Sequence, residues 1–109
     1  MNYIFIQAIQ EYYRFYGKEL KFDYPTGSNS QTDLYHISSE LRTRLIKLFE
    51  KDSQENRFVN VLHKEWYDDN FKDLILFYEY FYGDNGCGIG ASHQTGWTVL
   101  AANLIHEIQ

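Results

Sequence analysis

The chain has 109 residues, a net charge of −5, 44% hydrophobic and 18% aromatic residues, and one proline. That composition is globular and core-forming, at a size that suits one small domain and argues against two separate cores. The acidic balance argues against a nucleic-acid-binding or anionic-membrane surface, and no apolar run approaches the roughly 18 residues a membrane span needs.

Asn2 to Tyr16 reads as a helix ending at Gly17. Phe5, Ile9, Tyr12 and Tyr16 recur at spacings that share one helical face, while Ile4, Ile6, Ala8, Tyr13 and Phe15 add apolar surface elsewhere. A helix apolar nearly all round seeks neighbours on several sides. Lys18 to Ser30 reads as a connection in which Leu20, Phe22 and Tyr24 alternate like a short strand. Pro25-Thr26-Gly27-Ser28-Asn29-Ser30 then supplies turn chemistry. Thr32 or Asp33 can cap a second helix running to about Glu50, with Leu34, Ile37, Leu41, Leu45 and Leu48 as its apolar stripe. Arg42, Arg44 and Lys47 sit towards its C-terminal end, where positive charge suits the helix dipole.

Lys51 to Asp73 is polar and irregular, with a helical turn expected around Phe58 to Trp66. Leu74 to Tyr82 is a continuous apolar and aromatic run whose β-branched and aromatic content favours an extended strand. A glycine-rich loop, Gly83 to Gly90, follows. Ser92 or Thr95 then opens a final helix to about Ile108, with Trp97, Leu100, Ala101, Leu104 and Ile108 on one side. The expected fold class is mainly α, a single segment over residues 1–109, with one short strand before the last helix.

Glu79 is the one charged residue between Asp73 and Asp84, and it lies among aromatic residues. Burial beside rings would disfavour its charged form and suit it to acid or base work. The competing reading is a strand residue that alternates out to water. Phe77, Tyr78, Tyr80, Phe81 and Tyr82 likewise read either as core or as rings that stack on the C–H faces of a sugar.

The glycine loop imitates a phosphate cradle but lacks its elements. Position 91 is alanine where the dinucleotide fingerprint needs a third glycine, and no lysine follows for a Walker motif. His36, His63, His93 and His106 are scattered without zinc spacing, so no metal or other cofactor is expected. Cys87, the single cysteine, excludes an internal disulfide framework and fits a reducing compartment. Nothing in its neighbourhood activates it as a nucleophile for a base such as His93. The start lacks the basic and apolar blocks of a leader, so the expected location is cytoplasmic.

The strings Phe77-Tyr78-Glu79-Tyr80-Phe81 and Gly86-Cys87-Gly88-Ile89-Gly90-Ala91-Ser92-His93-Gln94-Thr95-Gly96-Trp97-Thr98 resemble the C-terminal end of glycoside hydrolase family 63-like proteins, related to processing α-glucosidase I. Tyr3 to Gly17 and Pro25-Thr26-Gly27-Ser28 extend the resemblance along the chain. It implies the C-terminal portion of an (α/α)6 toroid, the catalytic domain of an inverting α-glycosidase acting on α-linked glucosides or related sugars. In those terms Glu79 is the general base, and Tyr78, His93, Gln94 and Trp97 are substrate-binding. The general acid, an aspartate far upstream in the family, has no counterpart here, so the chain alone is expected to be inactive. The alternative reading is a non-catalytic small helical binding module. Exposed apolar surface, expected of a fragment, would favour self-association, whereas the module would close the apolar surfaces of its first helix on themselves or on a partner.

Overall fold

The computed structural model describes residues 2–94 and 96–107, with Trp66 and Tyr67 described by their backbone alone. The chain divides into two compact units, Met1–Arg44 and Leu45–Gln109. Helices and two small antiparallel sheets make up its regular structure.

In the first unit, helix α1 spans Asn2–Tyr16 and stops where Gly17 takes a φ of +68°, a left-handed conformation that glycine adopts without a Cβ clash. Its buried residues are Ile6 and Ile9, with Tyr13 half-buried and its ring 5.6 Å from that of Tyr35. The stripe expected from spacing is therefore not the buried one. Phe5, Tyr12 and Tyr16 are 60%, 58% and 51% exposed, and only Ile9 of that set is inside. At 3.6 residues per turn, the Ile6–Ile9–Tyr13 face and the Ala8–Tyr12–Phe15 face lie about 125° apart. The helix has two apolar faces, and the one with more aromatic carbon is turned outwards.

Strand β1, Lys21–Asp23, pairs antiparallel with β2, Gln31–Asp33, in the register Lys21↔Asp33, Phe22↔Thr32 and Asp23↔Gln31. The alternation at Leu20–Tyr24 foreshadowed β1; β2 is polar and carries no such pattern. Asp23 organises the loop between them. One carboxylate oxygen accepts the Gly27 N–H at 2.7 Å and the other accepts the Ser28 hydroxyl at 3.2 Å. Asp33 ends β2 and caps helix α2, Leu34–Lys47, accepting the His36 N–H at 3.0 Å and contacting His36 Nδ1 at 2.8 Å. Of the expected stripe in this unit Ile37 is buried and Leu34 and Leu41 are half-buried, while Ser38 is also buried and donates its hydroxyl to the Tyr35 carbonyl.

The second unit begins with the last turn of α2, which ends three residues short of the Glu50 expected. Its core gathers Phe49, Val59, Tyr78 and Ala101, with Leu48, Leu76, Phe77 and Phe81 packed against them. The irregular stretch 51–73 contains two 3-10 turns, Phe58–Asn60 and Lys64–Tyr67, where one helical turn was expected. Two cations tie it down. Lys51 Nζ reaches Glu55 at 3.3 Å and Asp73 at 2.8 Å, and Arg57 donates to the Phe49 and Lys72 carbonyls.

The aromatic run is a far shorter strand than expected. Only β3, Tyr80–Phe81, forms a ladder, with β4, Gly88–Ile89. Outside it the pairing continues but slips: the Glu79 N–H donates to the Ala91 carbonyl and the Gln94 N–H to the Phe77 carbonyl. Each step leaves an extra residue on the returning side, as in a β-bulge, so regular strand geometry cannot propagate. The final helix is short as well: a 3-10 turn at Trp97–Leu100 precedes α3, Ala101–His106. Ala101 and Leu104 are buried as the stripe predicted, whereas Trp97 is 56% exposed. Thr95 and Ile108, expected at the helix start and on its stripe, lie outside the described residues.

Candidate functional site

The β3–β4 hairpin positions Glu79. Its backbone N–H donates to the Ala91 carbonyl at 3.1 Å, and its carboxylate Oε2 accepts the Ala91 N–H at 3.3 Å. Main chain and side chain of one residue thus both engage Ala91. Gly90 makes this approach possible: it has a φ of +80°, and a Cβ there would stand 2.7 Å from both Glu79 Oε2 and Tyr80 Cε1. The loop glycine is thus needed for backbone conformation and for close contact together.

Glu79 is exposed, which agrees with the reading of a residue that alternates out to water and not with desolvation by the neighbouring rings. Tyr78, one residue back, is the residue those rings enclose. It is 1% exposed, and its ring stacks on His63 at 5.0 Å with an interplanar angle of 15°. Its place is in the core, beneath the surface that carries Glu79. Tyr80 presents a ring that is 53% exposed beside Gly90 and the Glu79 carboxylate.

His93 and Gln94 come to the same hairpin. The His93 ring lies 6.3 Å from Phe77, and the Gln94 N–H donates to the Phe77 carbonyl at 2.8 Å; both side chains are exposed. Trp97 opens the following 3-10 turn with its ring exposed. The hairpin therefore groups a carboxylate, a tyrosine ring, an imidazole and a carboxamide on one short stretch of backbone. A carboxylate can accept a proton or a hydroxyl hydrogen bond, the amide and imidazole can hydrogen-bond a polyol, and the ring can stack on C–H groups.

Sequence reasoning missed His63. Its Nε2 lies 2.8 Å from the Gly88 carbonyl, and Nδ1 is 3.5 Å from Glu65 Oε1. Twenty-five positions separate it from Gly88. No local pattern marks such a pairing; only the turn Phe58–Asn60, followed by the His63 N–H to Asn60 carbonyl bond, aims the ring back at the hairpin. Cys87 is fully buried, with its thiol 3.5 Å from the Gly88 carbonyl. Among the described residues no cluster of histidine, cysteine, aspartate or glutamate could hold a metal ion, and no helix is long and apolar enough to cross a membrane.

No family model and no solved structure matches the chain. It is similar to the uncharacterized protein YMR196W of Saccharomyces cerevisiae, with 37% identity over 110 residues that cover 98% of this chain. The chain spans about a tenth of the length of that relative, 10%.

Proposed function

We propose that the chain forms the C-terminal part of an inverting α-glycosidase of (α/α)6 architecture, in which Glu79 is the general base. The observation that carries this reading is the Glu79–Ala91 arrangement. The carboxylate is steadied by one backbone N–H at 3.3 Å while the residue remains exposed. That leaves lone pairs free to take a water proton. The exposed Tyr80 ring lies beside it, and His93, Gln94 and Trp97, exposed further along the returning chain, offer sugar-binding chemistry. Tyr78 supports the surface from below.

In the reaction, Glu79 accepts a proton from a water molecule as its oxygen attacks the anomeric carbon. The bond to the leaving oxygen breaks as a carboxylic acid on the opposite side protonates it. The two carboxyls of an inverting pair stand about 6.5–9.5 Å apart, so that water fits between base and sugar. That acid would come from another part of a longer polypeptide, as would the wall that desolvates Glu79. The single, buried thiol of Cys87 fits a cytoplasmic setting.

The test is hydrolysis of α-glucosides. The isolated chain should give no turnover. A longer polypeptide containing it should hydrolyse them, and Glu79→Gln should lower kcat by about 10²–10⁴-fold, the usual worth of a general base. Unchanged kcat in Glu79→Gln would overturn the assignment.

A second reading, a non-catalytic helical binding module, is favoured by a different observation. Ala8, Tyr12, Phe15 and Tyr16 line one outward face of α1, and Phe15 is 81% exposed. If the chain acts by docking through that face, replacing Phe15 with a charged residue should abolish partner binding, and Glu79→Gln should leave it intact.

A further inference from the structure

We infer that His63 is a positioning residue for the Glu79 carboxylate, through a clamp made with Tyr78 and Gly88; its catalytic meaning rests on Glu79 being the base. The clamp has three contacts. The imidazole lies face to face with the Tyr78 ring at 5.0 Å and 15°. Its Nε2 is 2.8 Å from the Gly88 carbonyl oxygen. The Tyr78 ring fills the space a side chain on Gly88 would need.

The chemistry of the partner fixes the proton. A carbonyl oxygen can only accept, so Nε2 carries a hydrogen, while Nδ1 faces the Glu65 carboxylate at 3.5 Å. Position then follows from connectivity. Tyr78 immediately precedes Glu79, and Gly88 lies three residues before Ala91, whose N–H holds the Glu79 carboxylate. Between the held points the hairpin carries the left-handed Gly90, at +80°, and the register slip described above. A slipped pairing lacks the regular ladder that would otherwise restrain it. Holding Tyr78 and Gly88 to one imidazole ties the two strands together across the slip, with Gly88 in the regular ladder and Tyr78 beyond it. It thereby sets where the Ala91 N–H meets the carboxylate.

The test uses NMR on the 109-residue chain and two substitutions. His63→Phe keeps a flat ring for Tyr78 and removes the donor; His63→Gln restores an N–H donor without the ring. In the wild type the Ala91 amide resonance should follow protonation of Glu79 as pH is lowered, and the Glu79 amide should exchange slowly. His63→Phe should abolish that coupling and speed exchange about two- to twelvefold, the equivalent of one net hydrogen bond. His63→Gln should restore both in part, because the donor to Gly88 returns while the stack on Tyr78 does not. Unchanged behaviour in His63→Phe, or equal loss in both variants, overturns the inference. Should His63→Phe fail to fold, the ¹⁵N shifts of the wild-type imidazole still decide: the Nε2–H tautomer is required, and the Nδ1–H tautomer contradicts it. None of these readouts uses turnover, so they stand apart from the Glu79→Gln assay that decides the hydrolase reading.

Discussion

The ring of Tyr78 occupies the volume that a side chain at position 88 would fill, and Gly88 is glycine for that reason. Gly88→Ala should destabilise the protein by about 1–3 kcal/mol, the usual cost of forcing carbon into a packed site. Tyr78→Leu in the same chain should recover part of that loss, because the two positions share one volume and their effects are not additive. Chemical denaturation of the single and double variants measures this; simple additivity would mean that the two do not touch.

Position 90 is sensitive for two reasons. Gly90→Ala meets the +80° backbone angle and crowds Glu79 Oε2 at 2.7 Å. A left-handed conformation at a non-glycine residue costs about 1–2 kcal/mol, and the carboxylate must move as well. The variant should lose a modest part of its stability and the whole of the Ala91 N–H to Glu79 bond. Thermal melting and the Ala91 amide shift measure these separately.

At acid pH, Asp33 governs the start of α2. The backbone N–H of His36, then its side chain, hold the Asp33 carboxyl below its ordinary value of 3.8. The folded state therefore favours the charged carboxylate more than the unfolded state does. That contribution is present above the unfolded pKa and is lost as pH falls through the lower folded value. Lys51 depresses Asp73 in the same sense, chiefly by a side-chain hydrogen bond. Asp33→Asn should flatten the fall in melting temperature below about pH 4 while keeping an oxygen for the cap. An acid limb as steep as that of the wild type would exclude Asp33 as its source.

The outward face of α1 should make the isolated chain sticky. Phe15→Ser with Tyr12→Ser removes exposed aromatic surface, so the cost to folding should stay within about 0.5 kcal/mol per site. Dye binding and concentration-dependent sedimentation should both fall. If neither changes, that face does not drive association in the isolated chain.

Local chemistry was legible in the sequence. Gly17 marks the end of α1, Asp33 the cap of α2, and Ala101 and Leu104 the buried side of α3. Each signal is read within a turn or two of the residue that carries it. The buried face of α1 was misread because the helix is apolar on two faces, and periodicity identifies a face without saying which one is covered. Leu74–Tyr82 read as a long strand because strand propensity reports on side chains, while a ladder needs a partner in register. The slip beyond Ile89 withholds that partner. Glu79 was placed among rings by adjacency alone. In the structure Tyr78 takes the interior, and Glu79 faces outwards against Ala91. His63 was invisible because its partner lies 25 residues away.

Product stereochemistry with a rescuing nucleophile tests the central claim most directly. In a longer polypeptide containing this chain, α-glucosyl fluoride should be hydrolysed to β-glucose as first product, as seen by ¹H NMR. Glu79→Ala should abolish this, and added azide, an anion that needs no deprotonation, should restore turnover as β-glucosyl azide. Retained hydrolysis in Glu79→Ala, or α-glucose as first product, would contradict the account.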